Sequence, residues 1–167
     1  MFIGFSLAFD FNKEFSLNNF IISVFCAGFF EELYFRGFLF GQFFRYTKLG
    51  FISSIFLGAI LFGLVHINQA NGIEEIIKLF FVTFFGGILF AWLYVEWDYN
   101  LWIPILLHML MNFAWDLFSV SENALGDNLS NILRLATITL AITLTVLYKR
   151  RSKTPLVVTK STLFITH

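Results

Sequence analysis

The stretch GFFEELYFRGF, residues 28–38, places Glu31, Glu32 and Arg36 inside a run of apolar side chains. A charged side chain at the centre of a bilayer costs about 2.5–3.5 kcal/mol, so all three would cost about 7–10 kcal/mol if they faced lipid. We therefore expect them to face the interior of a helical bundle. Glu32 and Arg36 stand four residues apart, the spacing at which a carboxylate and a guanidinium meet on one helix. This pair would have a supporting, structural role.

Glu31 is left without a cation on its own helix and is turned about 100° away from its neighbour Glu32. A carboxylate in a dry site can act as a general base. His66, in the sequence FGLVH, could share the water that Glu31 would activate. The sequence HMLMN adds His108 and Asn112, which are hydrogen-bond donors suited to a developing oxyanion. These residue types indicate hydrolysis by an activated water.

The composition of the chain predicts an integral membrane protein of one domain. Of its 167 residues 58% are hydrophobic and 13% are charged, whereas soluble domains carry about 25% charged residues. The net charge is zero, so no basic field points to nucleic acid as a partner. The lone Cys26 excludes an intrachain disulfide. The 25 phenylalanines are interpreted as a bias of a lipid-facing surface, without a chemical role.

Apolar segments of the length needed to span a bilayer, roughly 17–25 residues, predict the elements that position these groups. They are residues 18–46, 51–69, 76–96, 104–118 and 129–148. The fold class is therefore all-α, an integral membrane bundle of about five transmembrane helices. The segments between the helices are predicted to be loops, and Glu74, Glu75, Glu122 and Asp127 to be solvated loop charges.

The first two helices should form an antiparallel hairpin whose turn is centred between Lys48 and Leu49. Glu31 precedes this turn by as many residues as His66 follows it. Both should therefore lie at one membrane depth, about 26 Å from the turn.

The membrane depth of His108 is harder to derive from the sequence. Counted as continuous helix from the preceding EWDYN turn, it would stop about 10 Å short of Glu31. Proline favours the first helical position and an extended residue before it. We therefore predict that residues 99–103 are extended and that the helix begins at Pro104. His108 would then reach the level of Glu31, with Asn112 one turn further on the same face.

Lysine and arginine predict the orientation of the chain in the membrane. The loop with Arg45 and Lys48 falls on the same side as the basic residues that follow the fifth helix. That side should be cytoplasmic, and the carboxyl terminus with it.

Three motifs occur in order on the predicted helices. EELYFR at 31–36 matches Glu-Glu-x-x-x-Arg, FGLVH at 62–66 matches Phe-x-x-x-His, and HMLMN at 108–112 matches His-x-x-x-Asn. In these motifs, which cover about residues 28–115, the chain resembles the CAAX protease and bacteriocin-processing (CPBP) family of intramembrane endopeptidases, also called the Abi family.

The resemblance implies that Glu31 and His66 activate the attacking water, and that His108 and Asn112 stabilise the tetrahedral oxyanion. It implies cleavage of peptide bonds of membrane-associated or hydrophobic proteins and peptides, without a cofactor, in the plasma membrane of a bacterium. The organisation would be an amino-terminal segment (1–17), the protease domain (18–150) and a basic tail (151–167). Family members usually carry further helices upstream of the glutamate pair, so the chain would be a minimal or truncated member.

Other interpretations stay open from the sequence. Glu31, His66 and His108 would also make the two-histidine, one-carboxylate set of a zinc hydrolase, although the resemblance favours a metal-independent mechanism. The charged residues could instead fix helix packing, and His108 and Asn112 could be interhelical hydrogen-bonding groups. A non-catalytic immunity or partner protein with the same fold would carry the same residues. A proton relay is disfavoured, because it would need acidic groups at several depths.

Overall fold

The structure, a computed structural model, describes residues 1–164, so the last three residues of the predicted tail lie outside the described part. Within that part the chain forms six helices and no β-strand. We number them α1 (Phe2–Ala8), α2 (residues 17–46), α3 (Phe51–His66), α4 (Ile73–Glu96), α5 (Trp102–Leu117) and α6 (Asn128–Arg151). A short 3₁₀ turn, Ile67–Gln69, follows α3. The predicted all-α membrane fold is confirmed.

Five of the helices, α2 to α6, occupy the five segments predicted to span the membrane. Among the described residues, three stretches are long and apolar enough to cross a bilayer by themselves, namely Phe51–Gln69, Ile73–Glu96 and Asn128–Arg151. Helix α5 has 16 residues, just below the roughly 17–25 of a typical span, and α2 carries the three charges. Both pack inside the bundle, α2 against α3, α4 and α5, and α5 against α2 and α4.

Helix α2 is continuous but changes its winding. Leu17–Asn19 and Gly41–Tyr46 are α-helical, and the 21 residues Phe20–Phe40 between them form a π-helix. In an α-helix a four-residue repeat drifts around the axis by about 40° per step. The wider π winding, with bonds from residue i to residue i+5, turns less per residue. The buried residues of this segment recur at every fourth position: Val24, Gly28, Glu32, Arg36 and Phe40.

The hairpin of α2 and α3 has the register that the sequence predicts. The rings of Phe35 and Phe62, which are equidistant from the turn, lie 5.2 Å apart. Glu31 and His66, one helical turn further from it, approach to 3.9 Å between Oε2 and Nε2. The two residues therefore share one depth in the bundle.

The prediction that residues 99–103 are extended is wrong. Asp98 and Tyr99 have φ angles of 53° and 60°, the left-handed conformation of a tight turn. Helix α5 begins at Trp102, so Pro104 lies inside its first turn. The first backbone N–H groups of a helix have no intrahelical acceptor, so a proline among them does not prevent the helix from starting earlier.

His108 nevertheless reaches the charged residues of α2, because Leu101, the residue before α5, already lies beside Gly37 and not beside the α2–α3 turn. Gly37 of α2 faces Leu101, where an added Cβ would lie 3.1 Å from the Leu101 side chain. Gly28 faces Met109 so closely that a Cβ would lie 2.6 Å from its Cγ. These two glycines let α2 and α5 run antiparallel in direct contact. The count from the sequence failed because it started α5 level with the α2–α3 turn.

An apolar core fills one end of the bundle, which we call the basic end because the α2–α3 turn, with Arg45 and Lys48, and the end of α6 meet there. The core is built by α2, α3 and α4 from Phe40, Phe44, Phe51, Ile55, Ala59, Ala91, Tyr94 and Val95. It lies beneath the charged groups of α2 and separates them from the basic end.

Residues 152–164, which we call the strap, fold back onto the basic end instead of trailing away as a tail. Backbone carbonyl groups of the strap accept hydrogen bonds of 2.8 Å from the first N–H groups of α3, with the pairs Gly50–Phe164, Phe51–Thr162 and Ile52–Leu163. The buried carboxylate of Glu96 accepts the backbone N–H groups of Val157 and Val158 at 3.0 and 2.9 Å. Those two valines pack on the apolar core. The strap therefore caps a helix and closes the core.

Asp127 begins α6 and is not simply a solvated loop charge. The backbone N–H of Ser130 donates to Asp127 Oδ1 at 2.8 Å, and the backbone N–H of Asp127 donates to Ser130 Oγ at 2.9 Å. The bond from the Ser130 backbone N–H to the carboxylate, above all, holds the pKa of Asp127 below its usual value.

Glu96→Ala is expected to release the strap. The substitution removes both acceptors of the strap and leaves the buried Lys149, whose Nζ lies 3.6 Å from Glu96 Oε2, without its anion. Losing two hydrogen bonds to a charged group costs about 3 kcal/mol or more, so the strap should open at least ~100-fold more often. Tryptic cleavage at Lys160 should accelerate accordingly. Glu122→Ala, in an exposed loop, is the control, and an unchanged cleavage rate in Glu96→Ala would contradict this role.

Candidate active site

Glu31, in the middle of α2, and His66, at the end of α3, form a pair. The Nδ1 atom of His66 lies 2.7 Å from the carbonyl oxygen of Phe62. A carbonyl can only accept, so Nδ1 must donate its proton, and Nε2 of the neutral ring carries a lone pair. That Nε2 faces Glu31 Oε2 at 3.9 Å, which is too long for a direct hydrogen bond. Two hydrogen-bond acceptors therefore face the same small space.

The surroundings of this pair are sheltered but not closed. The side chains of His66 and Glu31 are 14% and 28% exposed. Glu31 Oε2 is itself buried and has no hydrogen-bond partner among residues 1–164. Beside Glu31, the surface of α2 forms a shallow depression that is otherwise apolar and aromatic, lined by Phe30, Leu33, Tyr34, Phe35 and Phe38.

Glu32 is the centre of a second, buried cluster. Its Oε1 lies 3.0 Å from Arg36 Nη1, as the four-residue spacing predicts, and 2.8 Å from His108 Nδ1. Glu32 and Arg36 are 0% and 1% exposed. Because a carboxylate only accepts, His108 must donate from Nδ1. The sequence did not predict that His108 pairs with Glu32.

Two aromatic rings flank the guanidinium of Arg36. Its Cζ lies 4.1 Å from the ring centre of Phe62 on α3 and 5.3 Å from that of Phe90 on α4. Its contact with Glu32 lacks the alignment of a hydrogen bond, and Nη2 has no hydrogen-bond partner within the described residues. The rings therefore provide much of its immediate environment through cation–π contacts. Phe90 also stacks on His108, with ring centres 5.0 Å apart. Among so many phenylalanines, the sequence carries no signal that distinguishes Phe90.

Asn112 lies further along α5, against the early part of α2. Its Nδ2 donates to the carbonyl oxygen of Ser23 at 3.0 Å, eight residues before Glu31 in the sequence. The structure thus brings Glu31 to His66 and His108 to Glu32, and it places Asn112 beside a different part of α2. No direct contact joins Asn112 to Glu31 or His66 within residues 1–164, and the oxyanion role of Asn112 stays a prediction.

The same geometry shows which candidate metal ligands lie together. The set considered from the sequence was Glu31, His66 and His108, but His108 turns its Nδ1 to Glu32. Over residues 1–164 no group of three or more His, Cys, Asp or Glu side chains is arranged to share a metal ion.

The chain matches a known protein family. The family model described as type II CAAX prenyl endopeptidase Rce1-like matches residues 13–114, more than half of the chain. The matched stretch contains Glu31, Glu32, Arg36, His66, His108 and Asn112, and it ends before α6 and the strap. No curated protein and no solved structure matches the chain.

Proposed function

Because the chain belongs to the type II CAAX prenyl endopeptidase Rce1-like family, we propose that it is an intramembrane endopeptidase in which Glu31 and His66 activate a water. As an integral membrane protein of a peptidase family, it lies in the bilayer and acts on peptide substrates. The observation that carries the proposal is the separation of 3.9 Å between Glu31 Oε2 and His66 Nε2. A water about 2.8 Å from each acceptor would donate one hydrogen to each of them.

The chemistry follows from the protons on these groups. Glu31 accepts a proton from the water as the water oxygen bonds to the carbonyl carbon of the scissile peptide, and His66 orients the water through Nε2. The negative charge then develops on the former carbonyl oxygen, where a hydrogen-bond donor stabilises it. His108 can donate from Nε2 only when both its ring nitrogens carry protons, because the Nδ1 proton is held by Glu32. Collapse of the intermediate returns the proton from Glu31 to the leaving amine.

The substrate is proposed to be hydrophobic or membrane-associated. The surface beside Glu31 is lined by phenylalanine, leucine and tyrosine side chains of α2, so a polar peptide would find few partners there. Large apolar side chains are exposed over the rest of this helix, including Ile22, Phe25 and Phe30 at 55%, 52% and 58%. An apolar segment that approaches through the membrane would therefore meet Glu31 without crossing a polar surface.

The orientation of the chain in the membrane is proposed from the charged residues at the basic end. Arg45 and Lys48 of the α2–α3 turn lie at the same end as Arg150, Arg151 and Lys153, all of them exposed. By the positive-inside rule this end, and the carboxyl terminus, would be cytoplasmic, in the plasma membrane of a bacterium.

The proposal is tested by comparing the membrane proteins of cells that express the wild type or Glu31→Gln. We expect peptides with new termini in the wild-type sample, and accumulation of the uncut proteins with Glu31→Gln. Glu122→Gln, in an exposed loop, is the matched control and should resemble the wild type. Purified protein should keep its activity in the presence of a chelator. Identical proteomes would favour a non-catalytic partner protein, and loss of activity on chelation with rescue by zinc would contradict the glutamate mechanism.

A further inference from the structure

Phe90, on α4, lies at the centre of the buried cluster. Its ring is 5% exposed. The imidazole of His108 stacks on this ring, with the ring centres 5.0 Å apart and 16° between the ring planes. The guanidinium of Arg36 lies 5.3 Å from the ring centre of Phe90. One aromatic ring thus contacts both groups that are bound to the carboxylate of Glu32.

The stacking of Phe90 helps to define the plane of the His108 imidazole. Its hydrogen bond to Glu32 Oε1 holds Nδ1, but a single hydrogen bond tolerates a range of angles, and the χ2 torsion of histidine has a broad minimum, so the ring can still tilt about χ2. The stacked ring of Phe90 restricts this rotation from one face. Phe62 meets the imidazole edge-on at 6.4 Å and 75°. Together the two rings determine where Nε2, the other ring nitrogen, points.

Helix α4 packs against the guanidinium of Arg36 one turn before Phe90. A Cβ on Gly87 would lie 3.5 Å from Arg36 Nη2 and 3.6 Å from Ala59. The helix therefore passes close to the guanidinium, and the side chain that follows three residues later on the same face reaches His108.

We infer that Phe90 is a positioning residue for peptide hydrolysis, holding the His108 imidazole in the plane in which Nδ1 stays on Glu32 and Nε2 is presented to the reacting carbonyl. This inference rests on the proposed function. It names a residue that acts through His108 and does not itself touch the substrate. The aromatic face, and not merely apolar volume, is what the position requires.

The test compares Phe90→Leu, which keeps apolar bulk without a ring, with Phe90→Tyr, which keeps the ring. Displacement of a catalytic group by about 1 Å can reduce the rate about 100-fold, so Phe90→Leu should lower kcat about 10- to 100-fold and leave KM within about twofold. Phe90→Tyr should recover most of the activity. In ¹⁵N NMR spectra, the Nδ1–H signal of His108 should be sharp in the wild type and broadened in Phe90→Leu.

Two control variants separate positioning from stability. Phe44→Leu removes another ring with the same exposure of 5%, which stacks on Phe40, and Phe85→Leu removes a ring of α4 that is 61% exposed. Both should keep the wild-type kcat and His108 signal. A Phe90→Leu protein with wild-type kcat, or with an unchanged His108 signal, would overturn the inference. If the wild type cleaves nothing, the proposed function fails, and the NMR comparison shows separately whether Phe90 holds the imidazole.

Discussion

Replacing His66 with alanine is expected to lower kcat for peptide hydrolysis by about 10²- to 10⁴-fold, the range typical of a group that assists proton transfer. The reason is the fixed tautomer, in which the proton on Nδ1 is bound to the Phe62 carbonyl oxygen and Nε2 is free to accept from the water. The measurement is a steady-state assay with a hydrophobic peptide, using purified protein in liposomes.

The His66→Ala protein should remain folded and inserted. The imidazole bonds to a carbonyl of its own helix, and a typical hydrogen bond contributes about 1 kcal/mol to stability. Gln69→Ala, an exposed polar residue just beyond the same helix end, is the matched control and should keep wild-type turnover. Near-normal turnover in His66→Ala would show that His66 does not orient the water.

Replacing Arg36 with alanine is expected to damage the fold more than any surface change. Glu32 is 0% exposed, and the substitution removes its nearest cation. Breaking a buried ion pair by removing one partner costs about 3–5 kcal/mol. It also removes the guanidinium surface that packs on Phe62 and Phe90. Thermal unfolding in detergent should show a clear loss of stability.

A double variant separates the ion pair from general damage. Combining Glu32→Gln with Arg36→Met removes both charges and keeps a similar volume, a replacement that is often neutral for buried pairs. The introduced glutamine would still offer an oxygen to His108. We expect this protein to be more stable than Arg36→Ala, with the exposed Arg150→Ala as a neutral control. An Arg36→Ala protein that unfolds like the wild type would contradict a stabilising role for the pair.

The parts of this site that the sequence predicts are those fixed by local geometry. The contact between Glu32 and Arg36 follows from one turn of one helix. The approach of Glu31 to His66 follows from a hairpin with a short turn, in which residues at equal distance from the turn must lie level. Neither inference requires knowledge of how more distant helices pack.

The parts that the sequence did not predict depend on packing between helices. The level of His108 is determined by where α5 begins along α2, which results from the fit of Gly28 on Met109 and of Gly37 on Leu101. Those contacts join residues far apart in the chain, and no pattern in the sequence pairs them. Pro104 was misleading because a proline is compatible with several positions in the first turn of a helix.

The strap and Phe90 were missed for a different reason, namely that their residue types are common in this chain. Val157 and Val158 resemble other apolar residues, and a glutamate at a helix end resembles a solvated charge. A buried Glu96 that accepts two backbone N–H groups can be recognised only when the strap is placed beside it. The 25 phenylalanines likewise conceal the one that stacks on His108.

The most direct test of the account is a double-mutant cycle of Glu31→Gln and His66→Ala, with kcat/KM measured for the wild type, both single variants and the double variant. If the two side chains act together on one water, their losses are not additive, and the double variant should be no slower than the slower single variant. Losses that multiply would show that the two groups act independently and would contradict the central claim.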